Sequence, residues 1–414
     1  MKAEECDALV AAAERQGFEA TGRRYPDGYR NNDRLVRDDA ELAAWLFERI
    51  RSKLPGEPLG LNPRFRFCRY RDGQQFTVHR DGAWAPSPAA RTTMTVQVYL
   101  NDGSEFEGGA TCFTEAGLRV MPEKGLAIVF DHRLWHAGEA VTRGTKYVLR
   151  TDVLYPYEAP AVGVSGSGAL REVERFTGHL GYVWSAVAGV VSGSRDGTVR
   201  RWPSGEVLLR VASSVTCVGR DAAGRIWAGT RAGDVYCDGR RVYGHEGAVL
   251  AMTALGDGRI ATAGAEGVVR VEDASTPLGG GWVWSLCERE GVLVAGCGDG
   301  TVRSLKGVVE RHPAPVHAVS RRCVGLADGR VVCEGREVGR HGGIVTGLVE
   351  LKEHVASSSE DGTLALWDRR SGLKLGEGRC DDFVRSVAAD GGQGLVTASY
   401  DGTVRRWTID INRV

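Results

Sequence analysis

Two side chains two residues apart, His79 and Asp81, stand in the stretch "FTVHRDG". Residues so spaced on a strand project to one face, so an imidazole and a carboxylate are offered side by side. Both groups are ligands for divalent first-row metals. Two donors alone hold an ion poorly, and an isolated His-x-Asp pair reads first as a solvated strand end. A third donor, His136, lies far along the chain in "FDHRLWHAGEA". It would complete a two-histidine, one-carboxylate face and leave three coordination positions open to small ligands. His132, four residues earlier, competes for that place, and spacing alone does not choose between them.

With their surroundings, these residues resemble the iron- and 2-oxoglutarate-dependent dioxygenase superfamily, most closely its prolyl 4-hydroxylase-like branch. The family's leading tyrosine, glycine turn and His-x-Asp pair match Tyr70, Gly73, Gln74, His79 and Asp81. Its hairpin matches Tyr99, Leu100, Asn101, Gly108, Gly109, Thr111 and Phe113. Its distal histidine is followed ten residues on by a basic residue, and ten residues after His136 stands Lys146. The Ala-Gly-Glu-Ala-Val after His136 also matches, which gives His136 the third ligand position and leaves His132 as a surface or supporting residue. The resemblance implies a double-stranded β-helix, or jelly roll, holding Fe(II) and using 2-oxoglutarate and O2 to hydroxylate a substrate, with ascorbate to restore oxidised iron.

In that reading Lys146 meets the far carboxylate of 2-oxoglutarate, because a buried dicarboxylate needs a cation to face it. Arg150, four residues further along the same strand face, could form the bidentate carboxylate pair that lysine cannot, or an ion pair with a barrel carboxylate. Tyr70 would offer its hydroxyl to the cosubstrate by the same resemblance. The polar stretch "GYRNNDRLVRDD" reads first as a solvated loop and second as a substrate-contacting one, with Asn31, Asn32 and Arg34 as candidates.

These side chains need elements to position them. In "TTMTVQVYL", Thr93, Thr95, Gln97 and Tyr99 share one face, expected to line the site, with Gln97 a further substrate candidate. Met94, Val96, Val98 and Leu100 share the other, expected to pack under helices. Residues 3–16 read as a helix with Cys6, Leu9, Val10 and Ala13 on one stripe, and residues 39–53 as another with Leu42, Trp45, Leu46 and Ile50. Asp38 and Glu41 have the form of a capping box.

The pattern ends near Tyr157, and "EAPAVGVSGSGAL" reads as a flexible linker. Beyond it the sequence repeats at tight turns whose glycines are Gly197, Gly233, Gly267, Gly300, Gly329, Gly362 and Gly402. Gly178-His179 and Gly244-His245 precede two of them, and Trp202, Trp367 and Trp407 follow the best copies. This half resembles WD-repeat proteins, whose fold is a β-propeller with four strands per repeat. Seven blades are expected, with six and a degenerate hairpin as the alternative. The segment "LREVERF" is placed to be the borrowed outer strand of the last blade, closing the ring. In that family Asp196, Asp361 and Asp401 belong to structural hydrogen-bond networks, and the propeller binds a protein or peptide partner.

The chain of 414 residues has 53 basic and 53 acidic side chains, so no net field argues for nucleic acid or an anionic membrane. Its start lacks a secretion-signal core, and its ten cysteines have no Cys-x-x-Cys spacing. We therefore expect a cytoplasmic protein with reduced core cysteines, no membrane contact and a mainly β two-domain fold. Its parts are an oxygenase domain over 1–157, a linker over 158–169 and a propeller over 170–414. The function expected is a hydroxylase of a protein or peptide. The alternatives are a small-molecule hydroxylase whose propeller serves location, and a scaffold with a degenerate oxygenase half.

Overall fold

The structure, a computed structural model, describes residues 1–21, 30–87, 89–158, 166–392 and 394–410. It divides into two compact units, Met1–Glu158 and Ala159–Val414.

The first unit opens with helix α1 (Ala3–Gln16), whose Cys6 and Ala13 are buried, and which ends at Gly17 in a positive-φ conformation. Strands β1 (Glu19–Ala20) and β2 (Asp33–Asp38) follow, then helix α2 (Ala40–Ile50). Asp39 caps α2 by accepting a hydrogen bond from the Leu42 backbone N–H at 2.9 Å. The cap is thus one residue later than expected, because Asp38 is turned outward to Arg64. The remaining strands are β3 (Gly60–Leu61), β4 (Arg64–Tyr70), β5 (Phe76–His79), β6 (Ala90–Tyr99), β7 (Phe106–Gly108), β8 (Thr111–Phe113) and β9 (Leu118–Val120). They are completed by β10 (Ala127–Asp131), β11 (His136–Gly138), β12 (Val141–Gly144) and β13 (Lys146–Pro156).

A large sheet runs β1-β2-β4-β13-β6-β10, with β3 paired to β13, and a smaller one runs β5-β11-β8-β9. Alternation along β6 decides which face holds what. Val96, Val98 and Leu100 join Cys6, Ala43 and Leu46 in the core beneath the helices. Thr95, Gln97 and Tyr99 point the other way and reach the smaller sheet's side of the unit: Tyr99 Oη donates to Thr111 Oγ1 at 2.7 Å, and Gln97 Nε2 to the same atom at 2.9 Å. Thr93, on the same parity, is exposed.

The stretch expected first as a solvated loop is a strand over much of its length. β2 pairs with β4 from Asp33↔Arg69 to Asp38↔Arg64, with Leu35 packed against the core of this unit and Val36 exposed. Gly28 and Tyr29 lie outside the described residues.

Of the expected linker, residues 159–165 lie outside the described residues. Gly166–Gly168 is a strand paired with Lys374–Arg379, so its peptide groups are committed to a sheet. Among the described residues seven four-stranded sheets follow, the sixth carrying this extra strand. The inner strand of each packs against that of the next, and the last against the first. Each inner strand opens with a fully buried valine: Val183, Val215, Val249, Val283, Val316, Val345 and Val384. Leu170–Phe176 pairs with Val404–Ile409 and completes the last sheet from the opposite end of the repeat array.

In the first sheet His179 bridges Asp196 and Ser192, each at 2.9 Å, and Trp202 Nε1 donates to Ser192 at 2.8 Å. His341, Asp361, Ser357 and Trp367 repeat the arrangement in the sixth. In the third, Glu266 stands in for the aspartate and still reaches His245. In the seventh, Asp401 pairs with buried Arg405 instead of a histidine. One cysteine expectation fails. Cys323 and Cys333, directly opposed on paired strands, form a disulfide with Cα atoms 4.0 Å apart.

Candidate metal centre

The two histidines are directly opposed residues on neighbouring antiparallel strands, His79 ending β5 and His136 opening β11. Their ring centroids are 4.2 Å apart. Each ring is fixed by the backbone carbonyl two residues earlier, His79 Nδ1 against Thr77 O at 2.7 Å and His136 Nδ1 against Leu134 O at 3.0 Å. That contact assigns the proton to Nδ1 and leaves the Nε2 lone pair free. Phe76 stacks on His79 with centroids 3.4 Å apart, and Phe130 meets His136 edge-on at 4.6 Å. Burial drives the His79 pKa well below the ordinary histidine value and lowers that of His136, so both rings are neutral, as ligands must be.

Asp81 lies just past the end of β5, where its backbone N–H donates to His132 O at 3.1 Å. Its carboxylate faces both rings, Oδ1 at 3.8 Å from His79 Nε2 and Oδ2 at 3.5 Å from His136 Nε2. Burial would raise its pKa, but the Arg150 guanidinium holds it well below the carboxylate range. Donor atoms of the three residues all lie within 4.8 Å of one another. His79 Nε2 and His136 Nε2 are buried without a hydrogen-bond partner. Buried polar atoms are rarely left so, and two lone pairs converging beside a carboxylate suit a divalent metal.

Lys146 opens β13 opposite Tyr70 in register. It is 3% exposed, its Nζ donates to Gly109 O, and it sits 5.3 Å from the Tyr70 ring centroid and 5.4 Å from that of Tyr99. Among the described residues no carboxylate pairs with it, and burial lowers its pKa to about 8. A buried cation without a counter-ion is a ready partner for an anionic ligand. Tyr70 is buried beneath it, which raises the phenol above its usual range.

Of the two readings of Arg150, cosubstrate contact or ion pair with a barrel carboxylate, the structure shows the ion pair, with Asp81 Oδ2. Thr95 Oγ1 donates to the same oxygen at 2.5 Å. His132 is buried, with Nε2 3.7 Å from Asp152 Oδ1, and so is no surface residue. The substrate candidates divide. Asn32 is 0% exposed, accepting from Arg30 Nε and donating to Asp33 O, each at 2.7 Å, so its polar atoms hold the chain and are closed to a ligand. Asn31 is exposed and accepts from the Gln75 backbone at 2.8 Å. Arg34 lies half-buried on β2, and Gln97 is buried against Thr111. The roles of Thr95 and Phe76 were missed. Thr95 carried a signal in its period-two spacing with Gln97 and Tyr99, whereas nothing in the sequence marks Phe76 as the ring that stacks on His79.

The description "2OG-Fe(II) oxygenase superfamily" matches residues 65–151, the span holding His79, Asp81, His136 and Lys146. "WD domain, G-beta repeat" matches residues 170–203 and 374–408. A PKHD-type hydroxylase of Sphingopyxis alaskensis is 34% identical over 87 residues, 20% of this chain and 40% of that protein. The chain therefore spans well under two thirds of the length of the curated relative it matches. The crystal structure of the WD40 β-propeller domain of Doa1 is similar at a TM-score of 0.53 and 19% identity, over 60% of this chain and 99% of that one. The chain thus resembles 2OG-Fe(II) oxygenases over residues 65–151 and WD-repeat proteins over two segments of its second unit, which is similar in fold to a WD40 β-propeller.

Proposed function

We propose that the first unit is an Fe(II)- and 2-oxoglutarate-dependent hydroxylase acting on a protein or peptide, prolyl side chains foremost, and that the propeller docks the protein substrate. The observation that carries this reading is the pair of buried Nε2 atoms, free of hydrogen bonds, facing the Asp81 carboxylate. Fe(II) at His79, Asp81 and His136 would supply the redox chemistry that couples decarboxylation of 2-oxoglutarate by O2, giving succinate and CO2, to substrate hydroxylation. Lys146 holds the far carboxylate of the cosubstrate, and Tyr70 and Tyr99 wall that end against water. The aromatic packing of Phe76 and Phe130 keeps both imidazoles aimed. The match to a protein named a PKHD-type hydroxylase supports hydroxylation as the reaction class.

Docking by the propeller is supported by an aromatic cluster where its first and last sheets meet. Tyr182 stacks on Tyr400 at 4.4 Å, Trp184 meets Tyr400 at 5.1 Å, and the Arg385 guanidinium lies 5.4 Å from the Trp184 ring. Such residues dominate protein interfaces.

The test of the site needs no substrate. Fe(II) and 2-oxoglutarate, added to the whole protein without oxygen, should give a visible absorption band that His79→Ala abolishes. A folded, iron-loaded protein without the band would end the oxygenase reading. Docking is tested on peptide-dependent succinate formation: Trp184→Ala with Arg385→Ala should raise the KM for a protein substrate and leave the KM for 2-oxoglutarate unchanged. Unchanged kinetics with protein substrate would show that this cluster does not dock it.

A further inference from the structure

Lys146 and Arg150 share a strand and a face but serve different ends of the site. Four residues of extended chain separate their Cα atoms by roughly 13 Å. Lys146 lies opposite Tyr70 at one end, and Arg150 lies between Arg66 and Gln97 in the sheet. The Arg150 guanidinium is committed to Asp81 Oδ2. Thr95, from the neighbouring strand β6, donates to the same oxygen at 2.5 Å. Oδ1 receives no hydrogen bond among the described residues, and it lies 3.8 Å from the orphaned His79 Nε2.

Asp81 needs such support because it lies beyond the strand that holds His79, so β5 does not fix its side chain. The large sheet supplies from across the site what the local backbone does not. We propose that Arg150 and Thr95 are positioning residues for the metal-binding carboxylate: they anchor Oδ2 so that the carboxylate is held, before any ion arrives, facing both imidazoles, with Oδ2 3.5 Å from His136 Nε2 and Oδ1 left free beside His79. This rests on reading His79, Asp81 and His136 as a metal centre. It assigns Arg150 to the metal and leaves the cosubstrate to Lys146. Partners that orient a ligand from outside the coordination sphere typically matter by about 10- to 100-fold in metal affinity.

The experiment is a titration of the full-length protein with Mn(II) alone, reading free Mn(II) by its electron paramagnetic resonance signal. A second titration adds 2-oxoglutarate to each Mn(II)-saturated protein. Arg150→Gln should weaken Mn(II) binding by about 10- to 100-fold, Thr95→Val should weaken it less, and Arg150→Lys should recover part of the loss. Lys146→Met should leave Mn(II) affinity at the wild-type value. Once saturated with Mn(II), the Arg150 variants should bind 2-oxoglutarate as the wild type does. Wild-type Mn(II) affinity in both Arg150→Gln and Thr95→Val overturns the inference, and if 2-oxoglutarate binding falls instead, Arg150 belongs to the cosubstrate. Should Arg150→Gln lose its near-ultraviolet circular dichroism, the near-isosteric Thr95→Val and the charge-keeping Arg150→Lys decide the matter. A wild type that binds no Mn(II) removes the metal centre itself, an outcome separate from failure of the variants to differ.

Discussion

Lys146 is a cation held where a cation is costly, and its titration follows from that. Burial lowers its pKa to about 8, against about 10.4 for a free lysine. Over that window the unfolded chain carries a proton the folded protein has released, so Lys146 makes stability rise with pH between about 8 and 10.4. Cosubstrate binding goes the other way, because it needs the ammonium. With Mn(II) in the site, 2-oxoglutarate affinity should be flat below about pH 7 and fall about tenfold per pH unit well above 8. Lys146→Arg should remove that fall, and an alkaline limb that persists in it would assign the titration elsewhere. Lys146→Met should weaken 2-oxoglutarate binding by about 10- to 100-fold, the usual worth of a charged hydrogen bond. It should not lower the unfolding midpoint, since an apolar side chain replaces an unpaired buried charge. The sequence placed His79, Asp81, His136 and Lys146 as candidates because a strand's alternation and a family's spacing are both linear properties. For Arg150 the sequence left a cosubstrate contact and an ion pair with a barrel carboxylate both open: its partner Asp81 lies 69 residues away across two sheets, and only the fold says which carboxylate a guanidinium meets. Asn32 failed as a substrate candidate, as its polarity is spent on Arg30 and its own neighbouring backbone.

At the scale of elements, the propeller is built from a small residue in the second strand of one sheet and a valine opening the first strand of the next. A Cβ on Gly193 would lie 2.6 Å from Val215 Cγ1 and 2.9 Å from Val218 Cγ1, and one on Gly296 would lie 2.9 Å from Val316 Cγ1. The valine fills the space the glycine leaves, which couples neighbouring sheets without a polar contact. Gly193→Ala should therefore destabilise the propeller by about 1–3 kcal/mol, as overpacking does. Val215→Ala alone should also destabilise it, by opening a cavity, and the double variant should be more stable than the two losses added. Additive losses in urea unfolding would show that the two positions do not share a packing site. The repeats were legible because turn glycines and the residues beside them recur at spacings of 29 to 40 residues. So was the closing strand, since "LREVERF" precedes the first repeat and the last lacks an outer strand. The β2 register was less so, because Arg34, Arg37 and Asp38 made a strand look like a loop, and its pairing with β4 depends on residues some thirty positions away.

Over the whole molecule, the donor residues and Lys146 all belong to Met1–Glu158, while the seven sheets belong to Ala159–Val414. Each unit has its own apolar clusters, Leu46, Phe65 and Val96 in the first and Leu364, Leu366 and Trp407 in the second. Length and composition imply this division by themselves, since 414 residues exceed one ordinary core and the repeat pattern starts only after the glycine- and serine-rich stretch. They do not imply that the stretch ends inside a sheet, because a strand of Gly-Ser-Gly has no side-chain pattern and is held by backbone pairing with Gly376 and Gly378. A ligand that binds only the folded state stabilises the unit it binds, by about 2.7 kcal/mol at a hundred times its Kd. Mn(II) and 2-oxoglutarate should accordingly raise the calorimetric transition of the first unit and leave that of the second in place. Arg405→Ala should do the reverse. Arg405 is buried with Asp401 at 2.6 Å and Glu172 at 3.7 Å, the latter on the closing strand and also held by Arg175 at 2.7 Å, and removing it takes the guanidinium from buried Asp401 at a cost of about 3–5 kcal/mol. That variant should lower the second transition and keep the Mn(II) affinity of the wild type. A metal-induced shift of both transitions would show that the two units unfold as one, and the propeller would then act on the metal site through stability as well as through its partner.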